Sequence, residues 1–267
     1  MRHFPTALAV RFVRRLTTAC RSRRLLALPV VVGAIVASAS LASSQRRVYI
    51  EPNIDYDGRF TFVRLRYTVY DRSGWEFDYP DMERNFMTIL NDLSSIGPHL
   101  RESNVLSMDD PALGRYPIAY LSEPGYWYPD DNEAAGLRRW LQKGGFLIVD
   151  DFLLEQWDNF ERSMKKVLPT ARIERLEVSH PIFDSFFTIT SLEGMAHPDR
   201  RRSGSAPAEY YGIHDENDPS RRLMVIINYN NDIGDYMEWS GQGWYPIDMS
   251  NDAYKLATNY IVYGLTR

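Results

Sequence analysis

The stretch KGGFLIVDDF, residues 143–152, constrains the fold more than any other. Two glycines release four consecutive apolar residues, Phe146 to Val149, and the run stops on Asp150 and Asp151. A strand that is apolar on both sides needs cover on both sides. A central parallel strand with helices on each face meets that condition, whereas a sheet with one wetted face does not. The preceding residues, DDNEAAGLRRWLQ, supply such a helix. Acids stand at its start and basic residues near its end, Leu137, Trp140 and Leu141 form an apolar stripe, and the glycine pair stops it.

The same alternation extends along the chain. FTFVRLRYTV, residues 60–69, reads as a first strand, and WEFDYPDMERNFMTILNDLSSIG turns helical from Pro80, with Met82, Phe86, Ile89, Leu90 and Leu93 on one face. A second strand is centred on Pro117 to Leu121, and SNVLSM reads as a further short one. After KGGFLIVDDF come a helix in QWDNFERSMKKVLP, a short strand in RIERLEV, and strands in EYYGIHD and RLMVIINYN. NDAYKLATNYIVYGLT closes the chain as a helix capped by Ser250 or Asn251. Strands alternating with helices predict a three-layer α/β sandwich with a mainly parallel sheet over residues 59–267. The loop AHPDRRRSGSAPAEY reads as a mobile insertion.

The first 42 residues are of another kind. They hold seven arginines and no acid, and end in the apolar run LLALPVVVGAIVASASLA. A basic start, a short apolar run and a small-residue exit predict a secretory signal over residues 1–42, cleaved rather than kept as an anchor. Arg23-Arg24 before Leu25-Leu26 resembles a twin-arginine export signal. Periplasm or cell envelope is the expected location. Residues 43–58 then form a polar lead-in, and membrane contact is expected only through residues 25–42 if they are retained. Removing the seven arginines from 31 basic residues leaves 24 against 35 acidic ones, a net charge of −11. So acidic a domain is a poor nucleic-acid binder. Cys20, the one cysteine, leaves with the signal, so no thiolate nucleophile is expected.

Ligands of open α/β sheets bind beyond the carboxyl ends of the strands. Asp150 and Asp151 stand there. Adjacent strand residues point to opposite faces, so only one faces a given pocket. Asp150 continues the buried run and is expected to be structural, and Asp151 is expected to line the cleft. Two aromatic loops, EPGYWYPDD and MEWSGQGWYPID, follow predicted strands. They offer Tyr126, Trp127, Tyr128, Trp239, Trp244 and Tyr245 as a rim for a carbohydrate or a protein partner. The competing reading is that these rings close their own loops. His214, Asp215 and Glu216 gather metal-ligand types, although a solvated acidic turn is the plainer account. Asn228, Asn230 and Asp232 alternate as in a calcium loop, but Ile233 and Trp239 stand where an EF-hand needs Gly and Glu, which leaves only an irregular calcium site. No phosphate loop or nucleophile elbow is present, and no cofactor is expected.

FVRLRY, YPIAYLSEPG, LRRWLQKGGFLIVDDF, HPIFDSFF and ATNYIVYGL, in this order, resemble the bacterial domain-of-unknown-function 4159 (DUF4159) family. The resemblance implies a flavodoxin-like sandwich similar to class I glutamine amidotransferases. Those enzymes carry a nucleophilic Cys on the turn after a central strand and a later His-Pro-Glu. Here Asp150-Asp151 occupy the strand end. The nearest likeness read from the sequence, His180-Pro181-Ile182, has Ile in place of the Glu. Glutaminase chemistry is therefore not expected. Two functions remain. One is a non-catalytic binding domain with an aromatic-rimmed cleft. The other is a hydrolase using Asp150 or Asp151, with or without a histidine-bound metal, for which Asp151 and His180 are the candidate catalytic residues.

Overall fold

A computed structural model describes residues 49–70 and 74–267. The expected signal, residues 1–42, lies outside them, as does the first part of the lead-in. Residues Ile50–Arg267 form one compact unit. Seven strands make a single sheet: β1 (Val63–Arg66), β2 (Asn104–Ser107), β3 (Ile118–Ser122), β4 (Phe146–Asp150), β5 (Glu174–Arg175), β6 (Glu209–His214) and β7 (Leu223–Tyr229). Their order is β2-β1-β3-β4-β7-β6-β5. The first five of that order run parallel, and β6 and β5 add an antiparallel edge. The expected α/β architecture with a mainly parallel sheet is what the chain forms.

The helices are α1 (Asp81–Leu93), α2 (Asp131–Gln142), α3 (Gln156–Val167), α4 (Arg200–Ser203), α5 (Ile233–Glu238) and α6 (Ile247–Thr266). One face of the sheet presents Ile118, Tyr120, Phe146, Ile148 and Ile226 to α1, α5 and α6. Ala119, Leu121, Leu147, Val149, Val225 and Ile227 alternate onto the other face and are equally buried. The apolar stripes of α2 (Leu137, Leu141) and α3 (Phe160, Met164, Val167) close that side. Asp130 and Glu133 form a reciprocal capping box at the start of α2, which fixes where the acidic segment turns helical.

Four expectations need correction. β1 is shorter than residues 60–69, because beyond Arg66 the chain turns off and Tyr67 sends its hydroxyl to the Ser122 and Glu123 carbonyls. RIERLEV contributes only the two residues of β5. The last helix starts at Ile247, not beyond Ser250 or Asn251, since the Ser250 hydroxyl donates to the Tyr236 carbonyl and ties α6 to α5. α5 itself lies where no helix was expected, opened by the Asp232 carboxylate accepting from Asp235 N at 2.8 Å. The lead-in is also more than a spacer: the Asn53 side chain both donates to and accepts from the Val105 backbone, covering the free edge of β2.

Candidate functional site at the carboxyl edge of the sheet

Ser122 and Asp150 are paired neighbours at the ends of β3 and β4. The residues that follow, Glu123 (φ 50°) and Asp151 (φ 62°), are both in the left-handed region, as are Asn230 (φ 54°) after β7 and Asp78 (φ 63°) in the segment after β1. Non-glycine residues held there cost about 1 kcal/mol each, least for Asp and Asn. Four such residues at one edge mark where the sheet turns its polar groups together.

Asp150 is fully buried on the α6 face. Its carboxylate accepts from the Tyr120 hydroxyl (2.8 Å), Asn228 Nδ2 (3.0 Å) and the Gly234 amide (3.0 Å). Asn228 in turn accepts from the Tyr260 hydroxyl at 2.9 Å. Asp150 therefore ties β3, β4, β7, α5 and α6 into one network. Asp151, 6 % exposed, receives one hydrogen bond, from Ser122 Oγ at 3.2 Å. Its other oxygen faces His197 Nε2 at 3.4 Å. The Asp199 amide donates to His197 Nδ1 at 3.1 Å, so the proton of the neutral ring sits on Nε2 and points at Asp151. Asp151, His197 and Asp232 bring one ligand-type atom each within 4.8 Å of one another.

A second acidic group lies beside the first. Asp78, Asp235 and Glu238 likewise gather within 4.8 Å. Gly234 separates the two: a Cβ there would stand 2.8 Å from Asp78 Oδ2, 2.8 Å from the Tyr120 hydroxyl and 3.3 Å from Asp232 Oδ1. Burial, and then the Asp151 charge, push the carboxyls of Asp78 and Asp232 well above the ordinary range. Asp235 and Glu238 are raised by burial and by neighbouring carboxylates. Burial and Asp151 push Glu123 up to about 9.

Glu123 thus keeps its proton on folding and loses it on unfolding across the range between its ordinary 4.5 and about 9. Its contribution to stability is complete below the lower value and disappears as pH rises through the upper one. Thermal melts in chelator should show a melting temperature that falls across this window, and Glu123→Gln should flatten the fall. A melting temperature that climbs with pH, or an unchanged slope in the variant, would show Glu123 to be ionised in the fold.

Several sequence-derived candidates take other places. His180 does not approach Asp151. It meets His214, Nε2 to Nε2 at 3.3 Å, and His214 pairs with Leu223 at the start of β7, the opposite end of the sheet. There burial, with His214 beside it, lowers His180 to about 4. The metal set of His214, Asp215 and Glu216 does not assemble either. Asp215 and Glu216 turn to Arg221, while the imidazole lies 4.0 Å from Glu174. An irregular calcium site on Asn228, Asn230 and Asp232 fails because Asn228 serves Asp150 and Asn230 Oδ1 accepts from the Leu154 amide at 2.9 Å.

Trp127 is a core residue with no exposed surface, its carbonyl held by Asn159 and Ser163, so it cannot belong to a rim. Tyr126 is half-buried beside it. Tyr128, 51 % exposed, stands edge-on to Tyr70. Trp244, 71 % exposed, packs edge-on against the half-buried Trp239. Tyr245 donates its hydroxyl to Asp235 at 2.6 Å, which joins the second aromatic loop to the acidic groups. A groove of about 530 Å³ at the antiparallel edge, lined by Leu176, Leu192 and Met195 among others, lies apart from these carboxylates.

A family profile described as Domain of unknown function (DUF4159) matches residues 61–265. The chain belongs to the DUF4159 family. No curated protein matches it. The match covers all seven strands of this DUF4159 domain and all but the last residue of its final helix, and so includes all the carboxylates described above. The sequence reading overlooked His197, Asp78, Glu123, Asp235 and Glu238. One signal was available: His197-Pro198-Asp199 is a second His-Pro pair, closer to His-Pro-Glu than His180-Pro181-Ile182, and its imidazole is the one that reaches the turn after β4.

Proposed function

We propose that this DUF4159 domain is a carbohydrate-binding module of the cell envelope, with its cleft at the carboxyl edge of the parallel strands. The observation that carries the reading is that exposed rings stand on connections leaving the carboxyl ends of the strands, the connections that also carry the carboxylates. Tyr70 and Phe77 follow β1, Tyr128 follows β3, and Trp244 follows β7 and α5. Exposed aromatics gathered on one side need a partner. A sugar ring offers an apolar C–H face to such rings and hydroxyl donors to Asp and Glu. The basic and apolar first 42 residues favour the envelope. The order β2-β1-β3-β4-β7 and the turn at Asp151 favour an amidotransferase-like fold, and Asp at that turn argues against glutaminase chemistry.

A second reading is favoured by Glu123. A carboxyl held protonated beside a second carboxyl, that of Asp151, is the kind of pairing from which glycosidic bonds are cleaved by acid and base. One experiment addresses both. Neutral oligosaccharides, cellohexaose and chitohexaose, are titrated against tryptophan fluorescence and the mixtures assayed for new reducing ends. Binding that weakens at least about tenfold in Trp244→Ala, roughly 1.4 kcal/mol, without new reducing ends, supports the module. Reducing ends that vanish in Glu123→Gln support the hydrolase. No binding of either glycan to the wild type, or no effect of Trp244→Ala, overturns the proposed rim.

A further inference from the structure

We propose that Asp78, Asp235 and Glu238 hold a calcium ion at the mouth of the carboxyl edge, an assignment that deepens the carbohydrate reading and rests on the same edge being the ligand site. The three carboxylates come from two segments, the stretch after β1 and the short helix α5, where Asp235 and Glu238 stand three residues apart and share a face. They are half-buried, so a cation can enter and keep some water. Among the described residues none of the three, nor Asp232 beside them, makes an ion pair with Lys, Arg or His within 4.0 Å, except that Asp232 shares a group with His197. Arg64, the fully buried guanidinium of β1, pairs through Nε with Glu83 and through Nη1 with the Trp75 and Phe77 carbonyls; its charge acts on Asp78 and its Nη2 makes no hydrogen bond, but it lies beyond 4.0 Å of the Asp78 carboxylate.

A separate observation points to a missing positive partner. Asp78 Oδ2 is sealed from solvent and has no hydrogen-bond donor. It is directed at the start of α5, where Asp232 Oδ1 also converges on Gly234. Asp232 is buried and spends that oxygen on the Asp235 amide, and its second oxygen receives no donor among the described residues. A sealed carboxylate oxygen without a donor is unfavourable unless a cation balances it.

The chemistry of the donors selects the ion. All are carboxylate oxygens, which suit a hard cation of flexible coordination number. The neighbouring group of Asp151, His197 and Asp232 is less suited to a transition metal. The Asp199 amide occupies His197 Nδ1, so the nitrogen facing Asp151 carries the proton and has no free lone pair. Around the calcium site the supporting contacts are in place. Tyr245 donates to Asp235, and Asn85 Nδ2 donates to the Met237 and Glu238 carbonyls at 3.0 Å, fixing the end of α5 against α1. A calcium ion here would adjoin Trp239 and Tyr245, and sugar hydroxyls could complete its shell.

The test uses the full chain, stripped with chelator, titrated with CaCl2 by calorimetry and followed by thermal melts, with no glycan present. One site is expected, with a Kd on the order of 10⁻⁵ to 10⁻³ M, and a melting temperature that rises with calcium. Asp78→Asn and Glu238→Gln should weaken binding at least tenfold and should melt higher than wild type in chelator, because each removes repulsion. Trp244→Ala should leave the calcium titration unchanged, so that loss of glycan binding and loss of calcium binding are told apart. No calcium heat and no calcium-dependent melting shift in the wild type would overturn the proposal. So would shifts of full size in both carboxylate variants, or variants that melt lower in chelator and still bind.

Discussion

Glu83→Ala is expected to lower the unfolding free energy by about 3–5 kcal/mol, the range for removing one partner of a buried ion pair. Arg64 stands in the middle of β1, fully buried, and its Nε donates to Glu83 Oε1 of α1 at 2.5 Å. Burial alone opposes a charged guanidinium, yet Glu83 and the electron-rich Tyr120 ring, 5.0 Å below it, keep Arg64 firmly protonated. The same guanidinium donates to the Trp75 and Phe77 carbonyls, each at 2.8 Å. Those bonds hold the segment that carries Asp78. With Glu83 gone, the charge stays buried without its counterion. The double variant Arg64→Met with Glu83→Leu should recover most of the stability, since an apolar pair of similar volume avoids the desolvation cost. It should not recover calcium binding, because the Trp75 and Phe77 carbonyls lose their anchor. Urea melts of the three proteins decide this. A loss below about 1 kcal/mol for Glu83→Ala, or a double variant no more stable than the single one, would show that the pair is solvated rather than buried.

Which parts of this arrangement the chain declares follows from how local each signal is. β4 and α2 are legible because they are contiguous: an apolar run between a glycine pair and two acids, and a stripe bracketed by charges of opposite sign. Arg64 is not legible. In FVRLRY a strand with alternating Arg reads as half exposed, and only the crossing of α1 and Tyr120 makes that position interior. α5 escapes notice because six residues with a glycine carry no periodicity, and its start is set by Asp232, which looks like one more acid in a polar loop. Asp150 and Asp151 are adjacent and visible. Their partners are not, because Asp78, Glu123, His197, Asp235 and Glu238 sit on separate connections that only the parallel order of β1, β3, β4 and β7 brings to one edge. The rim was read partly amiss for a related reason: Trp127 and Tyr128 are neighbours in sequence, but Trp127 is fully buried, its carbonyl held by Asn159 of α3, and Tyr128 is exposed.

Asp150→Ala and Asp151→Asn should move stability in opposite directions. Asp150 gives three buried donors their only acceptor at this edge: Tyr120, Asn228 and the Gly234 amide. Each buried donor left without an acceptor costs about 1–3 kcal/mol, so Asp150→Ala should lose about 3 kcal/mol or more even after the relief of removing a raised carboxyl. Asp151 is different. It receives one hydrogen bond, and its charge is among the causes that raise Glu123, Asp78, Asp150, Asp232 and Asp235. Asparagine fits the same left-handed backbone, keeps an oxygen for Ser122, and removes that repulsion. Asp151→Asn should therefore gain about 0.5–2 kcal/mol, as changes that relieve a strained functional position commonly do. Such a gain is what the proposed ligand role of Asp151 predicts, since a residue kept for binding is free to cost the fold stability. Melts in chelator decide the assignment. If Asp151→Asn melts clearly below wild type, or Asp150→Ala melts within a degree or so of it, the structural and the ligand-facing carboxylates have been exchanged.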